Sequence, residues 1–252
     1  MNKIETLFQQ KPNNILSIYF TAGYPQKNST IPTLQELEQA GVDLVEVGIP
    51  FSDPVADGPV IQQSSQQAIE NGMTLQLLLE QLTEAKHTIH IPIILMGYLN
   101  PIMQFGIEAF CKSAQEAGVS GLIIPDLPLE LVEKEYAALF KKYGLLNILL
   151  ITPQTSDERI HKIDAASKGF VYMVSSSATT GVKKDVSEEQ VCYFERVQSL
   201  GLKNPKLIGF GIGDAESFKR ACNFANGAIV GSAFVKALQQ KKTVSEFIQS
   251  LR

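Results

Sequence analysis

Apolar residues recur along this chain in two alternating rhythms. Unbroken runs rich in Val, Ile and Leu fall at residues 15–21, 44–48, 91–96, 121–125, 145–151, 170–175, 207–211 and 228–231. Such runs lack polar alternation and fit parallel strands covered on both faces. Between them, apolar positions repeat every three or four residues over 31–40, 60–71, 75–87, 107–117, 129–143, 157–166, 187–200, 215–224 and 231–240, which predicts amphipathic helices. In one of these, Leu129, Val132, Tyr136, Leu139 and Phe140 share a face while Glu130, Glu133, Lys134, Lys141 and Lys142 fall outside it. Gly41, Gly118, Gly144 and Gly201 follow helical segments where a left-handed cap is wanted. Eight strand–helix pairs in 252 residues predict an α/β fold, a single-domain (β/α)8 TIM barrel over 1–252 with extra helices at 3–10 and 244–251. A doubly wound sheet would place G-x-G-x-x-G after the first strand. The nearest match, Gly209-Phe210-Gly211-Ile212-Gly213-Asp214, comes late and has Asp for the third glycine.

Composition narrows the function. A net charge of −4 offers no electrostatic case for nucleic acid or an anionic membrane. No apolar run approaches the ~20 residues that span a bilayer, and the first residues, with Glu5 among them, do not read as a signal peptide. Cys111, Cys192 and Cys222 are scattered, without disulfide or zinc spacing, and read as buried thiols on helices in a reducing cytoplasm.

A barrel carries its chemistry in the loops at the carboxyl ends of its strands. The second strand, Val42-Asp43-Leu44-Val45-Glu46-Val47-Gly48, sets Glu46 among residues expected to be buried. A buried carboxyl without a partner holds its proton, which makes Glu46 a candidate acid/base; a barrel-lining ion pair is the alternative. The stiff loop that follows, Pro50-Phe51-Ser52-Asp53-Pro54-Val55-Ala56-Asp57-Gly58-Pro59, brings a second acid, Asp57, back toward the barrel mouth, while Asp53 reads equally as a turn residue. Glycines and hydroxyls cluster after strands six, seven and eight: Ser175 through Thr180-Gly181, then Gly209-Phe210-Gly211, then Gly231-Ser232. Backbone N–H groups at such positions can cradle a phosphate, and Ser232 is placed to cap the next helix. No lysine falls in the second half of a strand, which disfavours Schiff-base chemistry; His87, His90 and His161 read as surface residues, and no metal ligand set is evident. Carboxylate acid/base chemistry on a phosphorylated substrate is what remains.

The second-strand motif, residues 45–59, closely resembles the signature of the tryptophan synthase alpha chain. Phe20-Thr21-Ala22-Gly23-Tyr24-Pro25, Met96-Gly97-Tyr98-Leu99-Asn100-Pro101, Pro125-Asp126-Leu127-Pro128, Thr180-Gly181, Gly209-Phe210-Gly211-Ile212 and Gly231-Ser232 match in the same order, over essentially the whole chain. The resemblance implies a barrel that splits indole-3-glycerol phosphate into indole and glyceraldehyde 3-phosphate. Glu46 would protonate the indole ring and help deprotonate the glycerol hydroxyl. Asp57, as an exposed and ionised loop carboxylate, would take the indole N–H. Gly181, Gly211, Gly231 and Ser232 would hold phosphate, Tyr172 and Phe210 would line the pocket, and Thr180 would sit on a closing loop. Where the family commonly has Gly-Val-Thr-Gly, this chain has Ala178-Thr179-Thr180-Gly181. It further implies a beta chain partner in an α2β2 heterotetramer, with pyridoxal phosphate in beta and no cofactor here, and with Asp53, Pro54, Asn100 and Pro101 facing beta. A freestanding lyase, another phosphate-binding barrel, and a barrel kept as an activator of beta remain as alternatives.

Overall fold

The eight apolar runs become eight parallel strands: β1 Ile15–Thr21, β2 Leu44–Gly48, β3 Ile93–Met96, β4 Gly121–Ile123, β5 Leu146–Ile151, β6 Val171–Val174, β7 Lys206–Gly209 and β8 Gly227–Val230. Each pairs with its sequence neighbour, and β8 pairs back onto β1, so the sheet closes into a barrel ringed by helices. This is a TIM barrel. The computed structural model describes residues 1–175 and 188–252.

Period-two alternation inside a closed sheet divides the apolar residues into two cores. Ile15, Leu44, Ile94, Ile123, Ile148, Phe170, Tyr172, Leu207 and Ile229 belong to one cluster, which fills the barrel. Leu16, Ile18, Phe20, Val45, Val47, Leu95, Leu149 and Ile208 pack outward against the helices in another. The first helix, Lys3–Gln10, belongs with the inner cluster: Ile4 and Phe8 close the barrel floor, with Phe8 6.0 Å from the Phe170 ring. Asn2 caps that helix and also donates to the carbonyls of Ser120 and Gly144. Removing the plug leaves a cavity that the rigid barrel cannot collapse. Ile4→Ala is expected to cost about 2–4 kcal/mol of unfolding free energy, read by urea denaturation, with little change in catalysis at the opposite end.

The predicted element ends move by no more than two residues, each for a local reason. Pro92 has no N–H to give the ladder, so β3 starts after it. β7 stops at Gly209 because Phe210 and Gly211 turn to φ of 70° and 76°. The segment after β4 forms α-helix at Leu129–Leu131 and Ala137–Lys142 with a π turn, Val132–Tyr136, between them, yet Val132 and Phe140 stay on the buried face. One helix is absent from the sequence prediction, Leu99–Phe105, directly after β3. Cys111 is buried and Cys222 half-buried, but Cys192 is exposed, on the outer face of Glu188–Ser199, against the expectation of three buried thiols. His87, His90 and His161 are exposed as expected.

Candidate active site

Glu46 sits at the middle of β2 on its inward face, between Leu44 and Gly48, and is completely buried. None of the ion pairs among the described residues involves it. One carboxyl oxygen, Oε1, accepts a hydrogen bond from the buried hydroxyl of Ser17 on β1 at 3.1 Å; the other, Oε2, has no hydrogen-bond partner among the described residues. Burial without a cation favours the neutral acid and pushes the pKa up to about 8, with the Ser17 bond pulling the other way.

Asp57 lies on the loop that carries the chain from β2 into the helix Pro59–Glu70, where Gly58 is the N-cap and Pro59 opens the first turn. The loop is pinned at two points. Ser65 binds both backbone groups of Phe51, at 2.8 and 2.9 Å. Tyr98, at the mouth end of β3, accepts from the Ala56 N–H at 2.9 Å and donates to Asp57 Oδ2 at 2.9 Å, while its ring packs 5.2 Å from Phe51. Asp57 is therefore half-buried, which corrects the expectation of an exposed, freely ionised loop acid. Burial raises its pKa to about 6, although the Tyr98 hydrogen bond favours the charged form. The pair thus remains split, Glu46 holding its proton to higher pH than Asp57.

Aromatic rings bound the space around Glu46. Tyr19 on β1 is in register with Glu46, and its hydroxyl occupies the room that a Gly48 side chain would need. Tyr172 on β6 stands in the same way over Gly209, whose replacement by any larger residue would drive a Cβ into the phenol. Phe210 meets the Tyr172 ring edge-on at 6.3 Å. Its left-handed backbone is uncommon for an aromatic residue and is held by the Ser175 hydroxyl, which donates to the Phe210 carbonyl at 2.7 Å.

Gly211, the next residue, is exposed, and among the described residues a Cβ there would have only Ser175 Oγ nearby, at 3.9 Å. The β8 loop lies alongside: a Cβ on Gly213 would come within 3.3 Å of Ala233. Gly231, and not Ser232, is the N-cap of the helix Ser232–Gln239; Ser232 is its first helical residue and no side chain caps that end. This corrects the capping role expected of Ser232. The first N–H groups of the helix consequently receive no side-chain cap among the described residues, and Gly213 lies beside that first turn. Thr180 and Gly181 lie outside the described residues, as do Ala178 and Thr179.

Asp53 and Asn100 are exposed and Pro54 and Pro101 half-buried. Two exposed apolar side chains, Val55 and Met103, accompany them on the same two segments. Tyr98 ties those segments together, and Asp126, on the loop after β4, holds the second of them by accepting from the Leu99 N–H at 2.9 Å. Among the described residues no group of three or more His, Cys, Asp or Glu side chains converges as a metal site would need, and no helix is long and apolar enough to cross a membrane.

Ser17 and Tyr98 were missed from sequence as members of this site. A serine in an apolar run and a tyrosine after one both read as ordinary packing residues. Only Tyr98's place within a matched motif hinted otherwise.

A closed parallel barrel with one acid buried within a strand and a second, in an unlike environment, on the loop that follows it is a TIM-barrel enzyme. The family model for the tryptophan synthase alpha chain matches residues 5–250. The tryptophan synthase alpha chain of Flavobacterium johnsoniae is 54% identical over 254 residues, covering 100% of both chains, and that of Parabacteroides distasonis 52% over 251 residues, covering 100% of this chain and 98% of the relative. Among solved structures, the alpha chain from Legionella pneumophila superposes with a TM-score of 0.87 at 33% identity, over 100% of this chain and 96% of the other. A chain of Mycobacterium tuberculosis tryptophan synthase gives 0.90 at 28% identity, over 99% and 96%. This chain belongs to the tryptophan synthase alpha chain family and is a lyase subunit of tryptophan biosynthesis.

Proposed function

We propose that this chain, folded as one domain, cleaves indole-3-glycerol phosphate to indole and glyceraldehyde 3-phosphate with Glu46 and Asp57 as its catalytic pair. The observation that carries the reading is the buried Glu46 carboxyl with one oxygen unpartnered. A neutral acid of this kind can give its proton to ring C3. The bond from C3 to the glycerol chain then breaks, the adjacent glycerol hydroxyl passes its proton to Glu46, now a carboxylate, and the aldehyde forms, which restores the neutral acid. Asp57, ionised above about pH 6 and steadied by Tyr98, accepts the indole N–H and offsets positive charge on the ring. Tyr172 and Phe210 line the indole pocket. Gly211, Gly231 and Ser232 hold the phosphate from backbone N–H groups and a hydroxyl, with Thr180 and Gly181 completing the grip.

The partner is a beta chain in an α2β2 assembly, docked on Asp53, Pro54, Asn100 and Pro101. Pyridoxal phosphate belongs to beta; this chain needs no cofactor or metal, and it works in the cytoplasm. A coupled assay for both products, with and without beta, tests the reading. Release of both products, faster with beta, is expected. No cleavage under either condition would sink it.

Two variants separate the subsites. Ser232→Asp sets a negative charge where the phosphate should lie, so KM is expected to rise by about tenfold or more while kcat changes less. An unchanged KM would move the phosphate elsewhere. Tyr98→Phe removes the hydrogen bond that favours ionised Asp57. The acid limb of the kcat/KM profile is then expected to shift to higher pH, by about half to one unit.

A further inference from the structure

We propose that Ser17 is a positioning residue for Glu46, its hydroxyl holding Oε1 so that the acidic proton resides on Oε2. The inference rests on the reading of Glu46 as the acid, and deepens it. Ser17 is wholly buried in a strand whose other inward residues are Ile15 and Tyr19. A buried hydroxyl needs a partner, and this one donates to Glu46 Oε1 at 3.1 Å. Ser17 is in register with Leu44, one inward step deeper than the Glu46 level, whereas the Tyr19 hydroxyl lies beside Gly48, one step nearer the mouth. The carboxyl is thereby anchored from the floor side.

A neutral carboxyl has one oxygen that donates and one that only accepts. A donor fixed on Oε1 makes that atom the carbonyl oxygen and leaves the O–H on Oε2, the atom with no partner among the described residues. When the proton departs to the substrate, the Ser17 bond becomes charge-assisted and strengthens, so Ser17 favours the transition state over the bound ground state. The titratable groups around Glu46 are Tyr19 from β1 and Tyr172 from β6, with Asp57 and Tyr98 beyond Tyr19 on the mouth side. The two phenols are held neutral, chiefly by burial, so neither supplies a cation that could take over from Ser17.

Ser17→Ala deletes the donor and little volume. The alkaline limb of kcat/KM is expected to rise by about one pH unit, and kcat to fall by about tenfold with KM unchanged. Ser17→Thr retains a donor and should return the limb to its native position. A readout independent of turnover is the infrared carbonyl band of protonated Glu46 in protein carrying 13C-labelled glutamate, assigned by its loss in Glu46→Gln. In Ser17→Ala that band should move to higher frequency and titrate at higher pH. An unshifted band with an unshifted midpoint overturns the inference. Should Ser17→Ala fail to fold, Ser17→Cys, a weaker donor, is expected to move band and midpoint the same way by less, and no movement there overturns the inference equally. An active Glu46→Gln variant would instead defeat the reading of Glu46 as the acid, leaving the band titration to decide on Ser17.

Discussion

Glu46→Gln is expected to release no measurable indole from indole-3-glycerol phosphate, a loss of about 10³-fold or more, while the substrate still binds. Glutamine keeps the shape of the neutral acid and can still accept from Ser17, but it has no proton to give. Retained binding, measured by calorimetry, with lost turnover marks the group as catalytic; retained turnover would remove it from the mechanism. The same substitution is expected to stabilise the protein at high pH. In the unfolded chain the Glu46 carboxyl titrates near its ordinary 4.5, and burial raises it to about 8 in the folded one. Between those values the folded state carries a proton that the unfolded state has lost. Native stability therefore falls as pH rises through that window, by about 1.4 kcal/mol per unit, and the loss levels off above the folded value. Urea unfolding should show native and variant alike near about pH 5, with the variant ahead near about pH 9. Equal pH dependence of the two proteins would mean that Glu46 is ionised in the folded barrel.

The second large effect concerns Asp57 and the shape of the pH profile. Catalysis on the proposed reading needs Asp57 charged and Glu46 protonated, and the two pKa values, about 6 and about 8, leave a window between them. A bell-shaped kcat/KM is expected, its acid limb belonging to Asp57 and its alkaline limb to Glu46. Asp57→Asn should cut turnover by about 10²-fold and abolish the acid limb, because the residue no longer titrates. The alkaline limb should stay, since burial and Ser17, and not Asp57, set the Glu46 value. Near-native turnover in Asp57→Asn, or loss of the alkaline limb in place of the acid one, would reverse the assignment.

Much of this architecture was legible in the order of residues, for reasons that also explain the gaps. A strand buried on both faces must be apolar throughout, so eight such runs announced a barrel, and Glu46 stood out as the ionisable residue within one. Asp57 was visible through its stiff loop, but its half-buried state was not. That state depends on Tyr98, 41 positions away, and on Ser65, 14 positions from Phe51 in the following helix. Ser17 is two registers from being conspicuous: a small hydroxyl costs little in a strand pattern, and its meaning appears only when β1 is laid beside β2. Leu99–Phe105 escaped because seven residues containing Asn100 and Pro101 look like a turn, although proline at a helix start is well tolerated. Ser232 looked like a cap because a serine just after an apolar run and a glycine is a common helix-start signal. The actual cap is one residue earlier, so the hydroxyl is free of that duty.

The barrel's closing seam passes through this site. β1 is the partner of β8, and the Tyr19 side chain lies 3.5 Å from where a Gly231 side chain would project. Leu44, Glu46 and the Asp57 loop are all synthesised long before β8, so a nascent chain can possess its acid before its ring can close. Pairing of β8 with β1 closes the ring beside Tyr19 and Gly231. A phosphate ester seated across Gly231 and the neighbouring loops would then act as a clasp on the ring, favouring closed molecules over open ones by mass action. On the proposed reading, substrate supply and the integrity of the barrel are linked at the joint where the circle is made.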